Sequence, residues 1–201
     1  MISAVPQSGI HENAEVSGER RDDDVLITLF QSGDERAFRI LVERYQERIR
    51  NLIYSILNRS DVVDDLAQEI FIRVYQALPK FRFESSFYTW LYRIAVNKVR
   101  DEMRRKKAKK FLSLQKLMDD ADTELTMKMA VQPEDHAMDE VIGKALDSLP
   151  EKFRLPVVLK DVDGLSYEEI AEVLECEVGT VKSRLSRARA QLRKILKPML
   201  E

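Results

Sequence analysis

Between Thr180 and Met199 the chain carries Lys182, Arg184, Arg187, Arg189, Arg193, Lys194 and Lys197 with no acidic residue among them. Guanidinium and ammonium groups neutralise phosphates, and where they enter a groove they donate to guanine, while hydroxyls such as those of Ser183 and Ser186 serve several base acceptors. A second group, Asp65, Gln68, Glu69 and Ile72, mixes charge, amide and apolar surface on one helical spacing, as a protein-docking face does. A third is aromatic, running from Phe81 to Tyr88 and on to Trp90. These groups suit recognition. Catalysis has no comparable support: His11 and His136 stand far from each other, Cys176 is the lone cysteine, and no triad or zinc cluster can be assembled from them. There is no glycine-rich phosphate loop, and neighbouring carboxylates such as Glu168 and Glu169 are explained by helix capping. The expectation is a protein that is not an enzyme, with no cofactor, no metal and no small-molecule substrate.

The basic segment needs a helix to present it. Ser166 and Glu169 have capping-box spacing and are followed by Ile170, Ala171, Val173 and Leu174, which specifies a short helix. After a turn from Glu175 to Gly179, Thr180 is read as the cap of a long helix whose buried stripe is Val181, Leu185, Ala188, Leu192 and Ile195. Two helices joined by such a turn form a helix-turn-helix, and its second helix fits a major groove. Lys182, Ser183, Ser186 and Arg187 are expected at base edges, and the later cations at the backbone. A basic helix can also be a plain solvated face; the capped helix and the turn before it favour DNA binding.

Hydrophobic positions recur at three and four residues throughout, glycine and proline are sparse, and the chain reads as all-α. From Asp34, Phe38, Leu41, Val42, Tyr45, Ile49, Leu52, Ile53 and Ile56 mark one face of a first long helix. A second helix starts near Asp61 and stops at Pro79, with Val62, Leu66, Ile70, Val74 and Leu78 inward and Asp65, Gln68, Glu69, Ile72 and Gln76 on the other face. A third carries Trp90, Leu91, Ile94, Ala95 and Val99 and ends in a basic run. The expected division is a disordered leader over 1–21, a helical domain over 22–105, a flexible tether over 106–136 and a second helical domain over 137–201. Pro156, inside a helical stretch, predicts a kink or a late helix start. With no apolar run of spanning length, no hydrophobic signal core and no possible intrachain disulfide, the chain is expected in the cytoplasm and not inserted in a membrane. A net charge of -2 conceals this segregation of acids and bases.

The stretch DGLSYEEIAEVLECEVGTVKSRLSRARAQL, Asp163 to Leu192, resembles the promoter-reading domain of the extracytoplasmic-function sigma factors of bacterial RNA polymerase. DVVDDLAQEIFIRVYQAL (Asp61 to Leu78) and FRFESSFYTWLYRIAVNKVRD (Phe81 to Asp101) are similar to the helices with which that family docks on polymerase and melts DNA. The resemblance implies a transcription initiation factor of the envelope-stress type. Its partners would be core RNA polymerase, promoter DNA and an anti-sigma factor. It further implies that Asp65, Gln68, Glu69 and Ile72 bind the polymerase. Phe87, Tyr88, Trp90 and Asn97 would read the minus-10 element as a single strand. Thr180, Lys182, Ser183, Arg184, Ser186, Arg187 and Arg189 would read the minus-35 element. One departure is Leu91, where housekeeping sigma factors carry a second tryptophan of their melting wedge; weaker melting and stricter promoter choice are implied. A stand-alone helix-turn-helix regulator is the alternative, and it has no reason to carry the block from Asp61 to Asp101.

Overall fold

The computed structural model describes residues 23–119 and 137–200, and among them no strand occurs. Helix α1 covers residues 23–31. A turn through Gly33 at φ +106, open to glycine without the cost a side chain would add, leads into α2 (Glu35–Leu57). As the sequence predicts, Asp34 caps α2, its carboxylate accepting from the Arg36 N–H at 3.0 Å. Asn58 ends α2 in the left-handed conformation. A tight turn at Ser60–Val62 then enters α3 (Val63–Ala77), and a further turn at Leu78–Lys80, containing Pro79, closes it. Gln31 donates to the Leu78 and Phe81 carbonyls (3.1 and 3.0 Å) and so ties α1 to the aromatic loop. Ser86 caps α4 (Phe87–Asp119) by accepting from Thr89 N–H at 3.1 Å.

Helix α4 runs through 106–119, a stretch that the sequence reading gives to the tether. Lys, Ala, Leu, Gln and Met are good helix formers, so the helix propagates although no apolar stripe continues. After it come α5 (Ala137–Ser148) and α6 (Glu151–Val157). Pro156 lies inside α6, where its ring nitrogen cannot donate; the helix starts on time after Pro150 and widens just beyond the proline into a π-helical turn at Val158–Val162. The last elements are α7 (Tyr167–Leu174) and α8 (Val178–Leu200).

Helices α2, α3 and α4 pack on one another, as do α6, α7 and α8, giving the two helical halves that the sequence predicts. They also pack together, α4 on α7 and α2 on α5 and the π turn, within one continuous apolar core. Polar contacts cross this seam. The Arg154 guanidinium, buried, donates to the Ile56 carbonyl at 2.7 Å and to Asp147 and the Leu149 carbonyl. Arg100 faces Glu151 at 3.3 Å, and Tyr88 and Tyr92 donate to the backbone carbonyl and side chain of Asp163 at 3.3 and 3.2 Å.

Candidate functional site

Helices α2 and α3 leave an apolar groove of about 520 Å³ between their outer faces. Phe38 and Val42 form one wall; Ala67, Phe71, Ile72 and Tyr75 form the other. Arg50 paired with Asp64 marks one end, and Tyr75, donating to Glu35 at 3.0 Å, marks the other. Phe30, Phe38 and Tyr75 meet there as three edge-on or tilted rings, centroids 5.1 to 5.5 Å apart. Ile72 is 50% exposed and Tyr75 41%. Large apolar side chains open to water along a groove mark a docking surface. Of the predicted docking residues, Gln68 and Ile72 line the groove, while Asp65 and Glu69 are exposed outside it. Glu69 pairs with Lys98 of α4. Sequence reasoning assigned Phe38 and Val42 to the core stripe and missed Phe71 and Tyr75; the available signal was Ile72 and Tyr75, two apolar residues a turn apart on a polar face.

The predicted single-strand readers divide by environment. Phe87 is buried, packed on Tyr45 and Trp90 at 5.4 and 5.9 Å. Tyr88 is half-buried, stacked on Tyr92 at 4.4 Å, with its hydroxyl on the seam. Burial pushes the Tyr88 phenol up to about 12. Trp90 is partly covered by Phe81 at 5.0 Å, and Asn97 is exposed two turns further along the same face of α4. Leu91, the departure noted above, is fully buried.

In the helix-turn-helix the capping box forms as read: Glu169 N–H donates to Ser166 Oγ at 3.1 Å and Ser166 N–H to Glu169 Oε2 at 2.9 Å. Helix α7 ends at Glu175 in the left-handed conformation. Thr180 is not the cap of α8. The Glu177 carbonyl already accepts from Thr180 and Val181 N–H (2.8 and 3.1 Å), so the helix begins at Val178 and Thr180 sits in its first turn. Val181, Leu185 and Ala188 are buried, with Leu192 and Ile195 packed partly against the core. Lys182, Ser183, Ser186 and Arg187 are exposed, as is Arg193. Lys182 also lies 5.6 Å from the Tyr167 ring centre. Arg184 is half-buried, directed to Cys176 Sγ at 3.9 Å. Arg189 grips Asp161 with both arms, at 3.1 and 2.5 Å, and this hydrogen bond raises its pKa further. Among the described residues no cluster could hold a metal ion, and no helix is long and apolar enough to cross a membrane.

The model of Sigma-70 region 2 matches residues 41–109, which hold most of the groove and the aromatic segment; that of Sigma-70 region 4 matches 139–192, which hold the helix-turn-helix. The chain is 37% identical to the ECF RNA polymerase sigma-E factor of Escherichia coli (strain K12), over 90% of its own length and 98% of that protein. It is 36% identical to the corresponding protein of Haemophilus influenzae, over 90% and 99%. Among solved structures it is similar to CnrH in complex with the cytosolic domain of CnrY, with TM-score 0.65 and 27% identity, covering 88% of this chain and 98% of that one. It is also similar to the sigma factor RpoE in complex with the anti-sigma factor NepR from Bartonella quintana, with TM-score 0.62 and 26% identity, covering 80% and 96%. With both region models matched in order and near-complete coverage of its relatives, the chain belongs to the extracytoplasmic-function sigma factors of RNA polymerase.

Proposed function

We propose that the protein joins core RNA polymerase, directs it to a class of promoters and assists opening of the DNA, without catalysis of its own. The observation that carries this is the presence, in one chain, of an exposed apolar groove on α2 and α3 and a helix-turn-helix whose outward face is basic. A simple repressor needs only the second. In this reading the unit over 22–105 docks and reads the minus-10 element, and that over 137–201 reads the minus-35 element. Ile72 and Gln68, with Asp65 and Glu69 beside them, meet the polymerase. Asn97 and Trp90 face the melted strand together with Tyr88, while buried Phe87 supports them. On α8, Lys182, Ser183, Ser186 and Arg187 face base edges. Thr180, Arg184 and Arg189 support the first turns and the phosphates, Arg189 after exchanging Asp161 for a phosphate.

The relatives' sigma-E name supports a stress or envelope response and a cytoplasmic place of action, and the RpoE–NepR complex supports restraint by an anti-sigma factor. The test is transcription by core polymerase with and without the purified protein on genomic DNA, followed by sequencing of the transcripts. Start sites sharing two spaced elements and appearing only with the protein are expected; identical transcripts from both reactions would overturn the reading.

A further inference from the structure

Three non-glycine residues have positive φ: Asn58, Glu175 and Phe83. The first two are helix C-caps, where the left-handed conformation is the ordinary way to end a helix. Phe83, at φ +58, ends no helix. It sits in the loop between α3 and α4, which is anchored on one side by Gln31 and on the other by Ser86. For a side chain with a Cβ this conformation costs on the order of 1–2 kcal/mol, which glycine would avoid. Burial does not offset the cost in full, since Phe83 remains 42% exposed. The other phenylalanines of this loop, Phe81 and Phe87, are buried.

The ring has a defined setting. Its edge meets Phe81 at 5.1 Å, and Phe81 in turn packs on Trp90 at 5.0 Å, so Phe83 is the outermost ring of an aromatic cluster rooted in α4. Exposed Arg82 precedes it, and Trp90, Arg93, Asn97 and Arg104 recur along α4 at helical spacing. An aromatic face at the head of a polar, cationic helix face is how single-stranded DNA is held: rings stack on bases and cations follow the backbone. Phe83 has charged Arg82 and Glu84 as its exposed neighbours, so it does not form the contiguous apolar patch that a protein partner would need.

We propose that Phe83 is a stacking platform for an unpaired base of the melted minus-10 strand, a residue that the reading of Phe87, Tyr88, Trp90 and Asn97 does not include. This rests on the sigma-factor function proposed above. Stacking on a phenyl face is tolerant of base identity, so Phe83 favours opening more than it selects sequence. The experiment uses holoenzyme reconstituted from core polymerase and the full chain, on a promoter carrying 2-aminopurine at successive minus-10 positions of the non-template strand. Wild type and Phe83→Tyr are expected to form open complexes alike and to show one position whose fluorescence is quenched by stacking. Phe83→Leu and Phe83→Gly are expected to lose that quenching and to open the promoter roughly tenfold less, in line with the loss of one base–aromatic stack. Thermal melting of Phe83→Gly at or above the wild-type temperature is expected, because glycine relieves the backbone, and it separates this loss from misfolding. Leucine and glycine variants that open and quench as wild type does would overturn the proposal while leaving the function intact. Failure of the wild-type holoenzyme to open any promoter would overturn the function and the proposal together.

Discussion

Arg187 and Arg193 are both exposed cations of α8, and their places along it set different chemistry. Arg187 lies near the N-terminal end, close to the exposed Ser183 and Ser186, where a helix in a major groove meets base edges. Replacing it with alanine is expected to cost about 1–3 kcal/mol and to relax preference at one position of the minus-35 element. Arg193→Ala is expected instead to weaken binding to all sequences alike and to lower the salt dependence, because a phosphate contact carries charge without sequence information. Holoenzyme binding to single-base promoter variants at two salt concentrations measures both; equal, sequence-independent losses would show the groove residues to be wrongly assigned. Arg189 gives a further contrast at this scale. Its Asp161 partner must be displaced before it meets a phosphate, so Asp161→Asn is expected to strengthen promoter binding most at low salt.

At the scale of elements, the pairing of α2 with α3 creates the groove. Ile72→Glu puts a charge where a partner would bury an apolar side chain, and core-polymerase affinity is expected to fall on the order of tenfold or more, from the roughly 1.5–3 kcal/mol that burial of such a residue contributes. Its half-exposed position leaves the fold itself unchanged, which circular dichroism checks. Charge reversal at Asp65 is a cleaner probe than at Glu69, since the latter also breaks the pair with Lys98. Where α2 ends, Arg154 satisfies carbonyls of Ile56 and Leu149 and holds Asp147. Arg154→Met keeps much of the volume and strands those acceptors, so a loss of about 2–4 kcal/mol is expected in denaturant unfolding.

For the whole molecule, the seam between the halves carries a titratable group. Asp163 accepts from Tyr92 and lies against Tyr88. Burial pushes its carboxyl up to about 7 from an ordinary 3.8, with the Tyr92 hydrogen bond and Arg48 pulling the other way. Both tyrosines are held well above their ordinary value by burial, so they stay neutral. Below about pH 4 Asp163 is protonated whether the halves are packed or apart. Between about 4 and 7 the separated form loses its proton while the packed form keeps it, so packing weakens as pH rises through this window and levels off above it. Fluorescence energy transfer between labels on α3 and α8 is expected to fall from pH 5 to pH 8 in the wild type and to stay high in Asp163→Asn. A wild-type signal that does not change with pH would show that Asp163 does not govern the seam.

Helix positions, the Asp34 cap, the Ser166–Glu169 capping box and the buried stripe of α8 were legible in the sequence because each arises between residues three or four apart. The exposure of Lys182, Ser183, Ser186 and Arg187 follows from the same periodicity once Val181, Leu185 and Ala188 turn inward. The start of α8 was misread by two residues because a backbone carbonyl, that of Glu177, opens the helix where a side-chain cap was expected. The remaining features join groups far apart in the chain. The groove needs Phe38 and Tyr75 from two helices, Arg189 finds Asp161 across a turn and a helix, and Asp163 meets Tyr92 only because the halves pack. Local spacing carries no information about such pairings. The left-handed backbone of Phe83 is likewise set by the anchors that tie its loop to α1 and α4, and only the tertiary structure holds it there.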